Sequence, residues 1–268
     1  MKSMPAQTKQ IALCIDDFAL HEGIDQACYE LLALGRVSAI SCMSNAPRWR
    51  SASQQLCPFI EHADIGLHFN LTQDFGEQRG ASLLNTISRA YFNILEPEKI
   101  RCALQQQLDL FEQSLQRAPD FIDGHQHIHQ LPQIRDVILE TLEQRYPNSR
   151  MWVRNTVSAQ QMCLGKPLVL NLLGGYHFKN LVKQSARKTN RGFAGVYDLA
   201  SPNYAAYFAT WLSQVKHGAL VMCHPASLHD ANDSISQQRL IEFEFFKSAQ
   251  FLDLLAQHAT TIVPLSRI

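Results

Sequence analysis

The sequence has no excess charge of either sign: 24 Lys and Arg balance 24 Asp and Glu, so the formal net charge at pH 7 is zero. No overall field therefore draws the chain to nucleic acid or to an anionic membrane. Glycine and proline are sparse, 12 and 11 among 268 residues, which excludes collagen-like and low-complexity architectures. Cysteine is limited to seven scattered residues, an odd number with no CxxC pair. Such a set reads as reduced thiols of a cytoplasmic protein, not as a disulfide framework. Long hydrophobic runs are also missing. The polar first ten residues lead into an apolar stretch at 11–15 that is too short for a signal h-region or a membrane span. There is no GxGxxG, no GxxxxGK[ST] and no GxSxG, which removes the common dinucleotide, P-loop and serine-hydrolase readings.

Apolar side chains are plentiful, at 46% of residues. They recur as short runs at 11–15, 37–43, 63–68, 120–125, 150–154, 193–197, 219–224 and 260–264. Helical periodicity lies between them. Ile100, Leu104, Leu108, Phe111 and Leu115 are spaced four, four, three and four, which makes one face of an amphipathic helix. Ile134, Val137, Ile138 and Leu142 repeat the pattern after Pro132, and 235–257 reads as a third helix. Strands alternating with helices require parallel crossovers. No shift of composition marks a linker, so 1–268 reads as one α/β domain. Up to eight βα units favour a TIM-like (β/α) barrel over an open sheet, distorted around a weak sixth unit. Two long βα insertions, 73–96 and roughly 158–191, follow strand C-termini and are expected to overhang the catalytic face.

In a parallel barrel every strand C-terminus lies on one face, where the following loops build the site. The residues at or just past those ends are Asp16 and Asp17, Asn45, His68, His125, Arg154 and His224. Adjacent carboxylates after a buried apolar strand are costly unless a cation compensates them. A cap for the helix near 23–34 would need only one. In the run from Asp123 to His129, three imidazoles alternate: His125, His127 and His129. Extended backbone would turn all three one way. Such a cluster suits a metal, with one or two residues as ligands and the others supporting them or lining the cleft. Asp17, His68 and His125 supply one carboxylate and two imidazoles from three strand ends, which leaves a position for water. Asp16 then lies beside the metal as a proton acceptor, with Arg154 placed to pair with it. His224 is a candidate general acid from a later strand, and Asn45 a candidate for supporting or substrate contact. This donor set suits Zn, Mg, Mn or Fe, and a divalent Mg or Zn ion is expected.

Taken in order, these residues resemble the YdjC-like carbohydrate deacetylases, a family that includes chitooligosaccharide deacetylases. The resemblance covers nearly the whole chain. It rests on Asp16-Asp17-Phe18, on Gly35-Arg-Val-Ser, on the stretch from Asp64 through His68 to Thr72, on Asp123-Gly-His125-Gln-His-Ile-His129, and on Met222-Cys-His224-Pro225. Arg239 with Glu242 in the last helical region adds to it. The resemblance implies a distorted TIM-like barrel, a divalent metal on Asp17, His68 and His125, and hydrolysis of the N-acetyl group of an amino sugar. It also implies a homodimer, with the second Asp of the pair as ligand and the first as base. Two positions depart from the family, which usually has Gly where this chain has Ala19 and Ala226. Two other readings stay open. One is an amidohydrolase-like enzyme built on a His-x-His metal core, although that core belongs on a first strand and here the first strand carries Asp-Asp. The other is a metal- and sugar-binding barrel without turnover.

Overall fold

The computed structural model describes residues 8–76, 80–159 and 165–268, so Cys163 and parts of both insertions lie outside the described residues. In chain order the elements are β1 (Lys9–Phe18), α1 (Glu22–Ala33), β2 (Ala39–Cys42), α2 (Trp49–Ala52), β3 (Asp64–Phe69), α3 (Leu83–Tyr91) and α4 (Pro97–Leu115). Then follow β4 (Phe121–Gly124), α5 (Ile134–Arg145), β5 (Trp152–Val153), α6 (Lys166–Leu170), α7 (Tyr176–Gln184) and β6 (Phe193–Ala194). The chain ends through α8 (Tyr204–Gln214), β7 (Ala219–Cys223), α9 (Ser236–Lys247), α10 (Ala249–Gln257) and β8 (Thr260–Ile262).

All strand pairs are parallel, in the order β5-β4-β3-β2-β1-β7-β6, with β8 added against the start of β1. β1 is therefore central and buried on both faces, which is why it reads as a near-continuous apolar run. The sheet curls as expected, but its closure is incomplete. β5 and β6 have two residues each, and among the described residues the isolated bridges Val153–Thr189 and Ser158–Phe193 link the chain across the gap between them. The result is a distorted, partly open barrel flanked by helices.

The period of two along β1 sorts its residues into two cores. Ile11, Leu13 and Ile15 face outward into the helix-covered cluster, while Ala12 and Cys14 face the interior of the curl. Small inward residues such as Ala12, Cys14 and Ala39 leave room for Phe121 and Trp152, whose rings stack at 4.1 Å. The helical face foreseen on α4 is the buried one: Ile100, Leu104, Leu108, Phe111 and Leu115. The region 235–257, read as one helix, is two. Ser248 takes extended backbone (φ −69°, ψ 160°), and its hydroxyl accepts from the Phe251 amide at 3.3 Å, capping α10. Serine's preference for the cap overrides the continuous apolar periodicity. The six described cysteines are free thiols. No helix among the described residues is long and apolar enough to cross a membrane.

Candidate active site

Asp16 and Asp17 lie inside β1, not after it. Between the pairs Ile15–Ile40 and Phe18–Cys42, β1 advances three residues while β2 advances two, so the two aspartates occupy a β-bulge. Asp17 sits at φ 67°. A regular strand would send neighbouring side chains to opposite faces; the bulge aims both carboxylates into the mouth of the curl. Asp16 continues the inward row of Ala12 and Cys14, and Asp17 joins it. Neither caps α1, whose N-cap is His21 without a side-chain cap. Ala19 follows at φ 76°, fully buried, with its amide donating to Asp25 Oδ1 at 2.8 Å. This is one of the two positions where the resemblance leads one to expect glycine, and its left-handed backbone is a conformation that suits glycine. Ala226, the other, has no positive φ.

Asp17 Oδ1 lies 2.9 Å from His125 Nδ1 and 3.3 Å from His68 Nε2. The donor atoms of these three residues all fall within 4.8 Å of one another, a geometry able to hold a divalent metal. Two of the three ligands are oriented from behind. His68 Nδ1 donates to Asp123 Oδ1 at 2.6 Å, which turns Nε2 toward the cluster, and Ser41 Oγ donates to the same oxygen at 2.6 Å. A carboxylate behind a histidine is the usual support of a metal-binding imidazole. Asp17 Oδ2 accepts from Arg239 at 2.7 Å, leaving Oδ1 for the cluster. The donor set therefore fits a divalent ion, with the unused atoms of His68 and Asp17 already tied off.

Electrostatics follow from this packing. Burial opposes the charge on Asp17, but Arg239 and His125 beside it hold its carboxyl well below the ordinary value. Burial likewise opposes the His68 imidazolium, yet Asp123 and Asp17 outweigh it and hold its pKa up to about 10.

Asp16 and Arg154 meet as foreseen, in a bidentate pair with both oxygens at 2.6 Å. Arg154 is fully buried and also reaches Asp123 Oδ2 at 2.6 Å, so one guanidinium ties Asp16 to the support of His68. His224 enters from the end of β7 and lines the same cleft of about 530 Å³ as Asp16, Asp17, His68, His125 and His127. Its ring Nδ1 is buried and takes no hydrogen bond from the protein. Burial lowers the His224 pKa, while Asp17 and Asp16 push the other way. Glu242 behind it accepts from the His224 amide at 2.6 Å and from the Tyr197 hydroxyl at 2.5 Å. Burial raises Glu242 to about 7 against those two bonds.

The histidine run departs from the extended reading. β4 ends at Gly124, and Gln126 (φ 53°) and His127 (φ 60°) are left-handed, so 125–130 winds as tight turns. His125 alone of the three joins the metal-capable group. His127 lines the cleft with its ring edge on Phe193. His129 is buried against Phe178, its Nε2 donating to the Arg154 carbonyl at 3.2 Å, and burial depresses it to about 4. A His125-x-His127 metal core, which the amidohydrolase-like reading needs, is therefore not formed. Asn45 is half-buried beyond β2 and does not line the cleft. Asp123, Ser41 and Gln130 are working parts that received no role from the sequence. Asp123 is the register partner of His68 across β3 and β4, a neighbour that only the strand pairing reveals.

Both insertions reach the cleft. Leu83 and Ile87 of α3 line one wall, and Val169 and Leu170 of α6 with Leu173 beyond it line another.

The fold and cluster together define a metal-capable (β/α) hydrolase-type centre, and comparison places it further. A model of the YdjC-like protein family matches residues 10–257, and the chain belongs to that family. A carbohydrate deacetylase of Danio rerio is 27% identical over 152 residues, 52% of this chain and 48% of that protein. That match spans about half of the relative's length. A chitooligosaccharide deacetylase of Yersinia pestis (strain Pestoides F) is 25% identical over 261 residues, covering 93% of this chain and 95% of the relative. Among solved structures, an Enterococcus faecalis V583 protein named for cellobiose-phosphate cleavage has the same fold. Its TM-score is 0.74 at 17% identity, over 97% of this chain and 98% of that one.

Proposed function

We propose that this chain is a metal-dependent N-deacetylase that hydrolyses the acetamide of an N-acetylated amino sugar or a short chitooligosaccharide-like glycan. The observation that carries the reading is the constellation around Asp17: a three-ligand cluster, a separately held carboxylate at Asp16 and an unpaired imidazole at His224, all facing one cleft. The names of the family relatives support it. A divalent ion held by Asp17, His68 and His125 would supply Lewis-acid polarisation of the amide carbonyl and acidify water.

The remaining chemistry belongs to side chains. Asp16 takes the water proton, and Arg154 fixes the plane of its carboxylate by bonding both oxygens. His224 protonates the departing amine, a poor leaving group without a proton. Glu242 holds the His224 backbone in place, and Arg239 keeps Asp17 presenting a single oxygen to the cluster. Soluble N-acetylated chito-oligomers test the reading: acetate should be released with metal present and not after chelation. Metal binding without acetate release from any N-acetyl sugar would leave a binding protein in its place.

A further inference from the structure

The titratable cluster lies on the floor of the cleft, and the walls that the two insertions supply are mainly aliphatic, with Gln73 and Lys166 as their polar members. Leu83 and Ile87, one turn apart on α3, face the cleft from one insertion; Val169, Leu170 and Leu173 face it from the other. Apolar surface continues outward from both walls: Leu84 of α3 is 80% exposed, Val169 of α6 54%, and Leu172 just beyond α6 67%. Several polar neighbours are already spent. Gln130 donates to the carbonyls of Leu170 and Leu173 at 2.9 and 2.8 Å and accepts from Thr156. Asp233 is taken by Arg239 at 2.5 Å and His21 at 3.3 Å. Sugar hydroxyls moved from water against such walls would lose their hydrogen bonds without replacement. Alkyl surface would gain from the same move.

Resting on the deacetylase reading, we propose that the substrate is amphipathic: an N-acetylated amino sugar whose acetamide reaches the floor while an aliphatic aglycone lies between α3 and α6. The two insertions then select for the alkyl part, and Gln130 anchors the α6 wall to the loop that carries His125. A long oligosaccharide fits this cleft less well, because each added ring brings hydroxyls against Leu83, Ile87, Val169, Leu170 and Leu173, with Gln73, Gln126, Lys166 and Ser234 the few polar side chains beside them among the described residues.

The test uses the metal-loaded protein and three probes: methyl N-acetyl-β-D-glucosaminide, its octyl counterpart below its aggregation concentration, and N,N′-diacetylchitobiose. Binding is read by calorimetry and acetate release in parallel. A fully buried methylene is worth roughly fourfold in affinity, so partial seating of the octyl chain should bind it at least about 50-fold tighter than the methyl glycoside, with kcat/KM following. Ile87→Ser should cut the octyl-to-methyl ratio about tenfold. Val169→Ser, at a half-exposed position that tolerates change, should cut it several-fold. Octyl and methyl glycosides binding within threefold of each other, or chitobiose binding tighter than the octyl glycoside, overturns the proposal while leaving deacetylation intact. If no probe releases acetate, the deacetylase reading fails and the binding ratio still decides whether the cleft is alkyl-selective.

Discussion

Replacing Asp16 by Asn separates two adjacent carboxylates that the sequence alone leaves alike. The change keeps the shape of the side chain but removes its charge and its capacity to take a proton. Both Asp16 oxygens accept from Arg154 at 2.6 Å. In the variant one of them becomes an NH2 group facing a guanidinium N–H, so one charge-assisted hydrogen bond is lost, worth about 1.5–3 kcal/mol. Arg154 keeps its second partner, Asp123 at 2.6 Å, so the pocket is not left with an unpaired cation. The melting temperature should fall by several degrees, with the fold intact. Asp17, His68 and His125 are untouched, so metal content should stay at the parent level. Turnover should fall by about 100 to 10,000-fold, the usual worth of a general base. Elemental analysis, thermal melting and acetate release per bound metal make the comparison. A folded, metal-loaded Asp16→Asn protein with near-parental acetate release would remove Asp16 as the base.

His68→Ala and His125→Ala should each lose the metal while the barrel stays folded, as read by elemental analysis and circular dichroism; His127→Ala and His129→Ala should weaken metal binding by no more than roughly 10 to 100-fold. Full metal occupancy in either of the first two would disprove the ligand set. Ala19→Gly should stabilise the protein by about 1 kcal/mol and raise its melting temperature by about 2–4 °C, because alanine at φ 76° carries a left-handed penalty that glycine does not. An unchanged or lowered melting temperature would show that this turn is unstrained. Metal binding should release a proton, since Asp123 and Asp17 hold the His68 pKa up to about 10 and its ligand nitrogen must be free to bind. The sign follows: below about pH 10 apparent affinity should rise by roughly tenfold per pH unit as the competing proton is removed. Calorimetry in buffers of different ionisation enthalpy measures the proton count, and a value near zero at pH 7 would contradict the cluster's electrostatics.

Much of this architecture was legible because its signals are local. The apolar runs gave all eight strands, and the four-four-three-four spacing of Ile100 to Leu115 gave the buried face of α4, since burial on one side is written directly into periodicity. Strand ends pointed to Asp17, His68, His125, Arg154 and His224 because parallel topology sends those ends to one face. What stayed hidden depends on backbone turns or on register. The alternation of His125, His127 and His129 looked extended, but positive φ at Gln126 and His127 curls the chain and sends the three rings to different neighbours. The bulge that aims Asp16 and Asp17 the same way is a mismatch of one residue between β1 and β2, invisible without the partner strand. Asp123 supports His68 only because β3 and β4 pair in the register they do. Asn45, placed by strand end alone, falls outside the cleft because the chain turns away after β2.

The most direct test of the central claim is acetate release from N,N′-diacetylchitobiose and octyl N-acetyl-β-D-glucosaminide by three preparations of one protein: metal-loaded, chelator-stripped, and stripped then reloaded. The Asp17, His68 and His125 cluster predicts turnover in the first, its loss in the second and its return in the third, in proportion to bound metal and with one ion per chain. Acetate release that survives complete removal of the metal, or full metal occupancy with no release from either sugar, would contradict it.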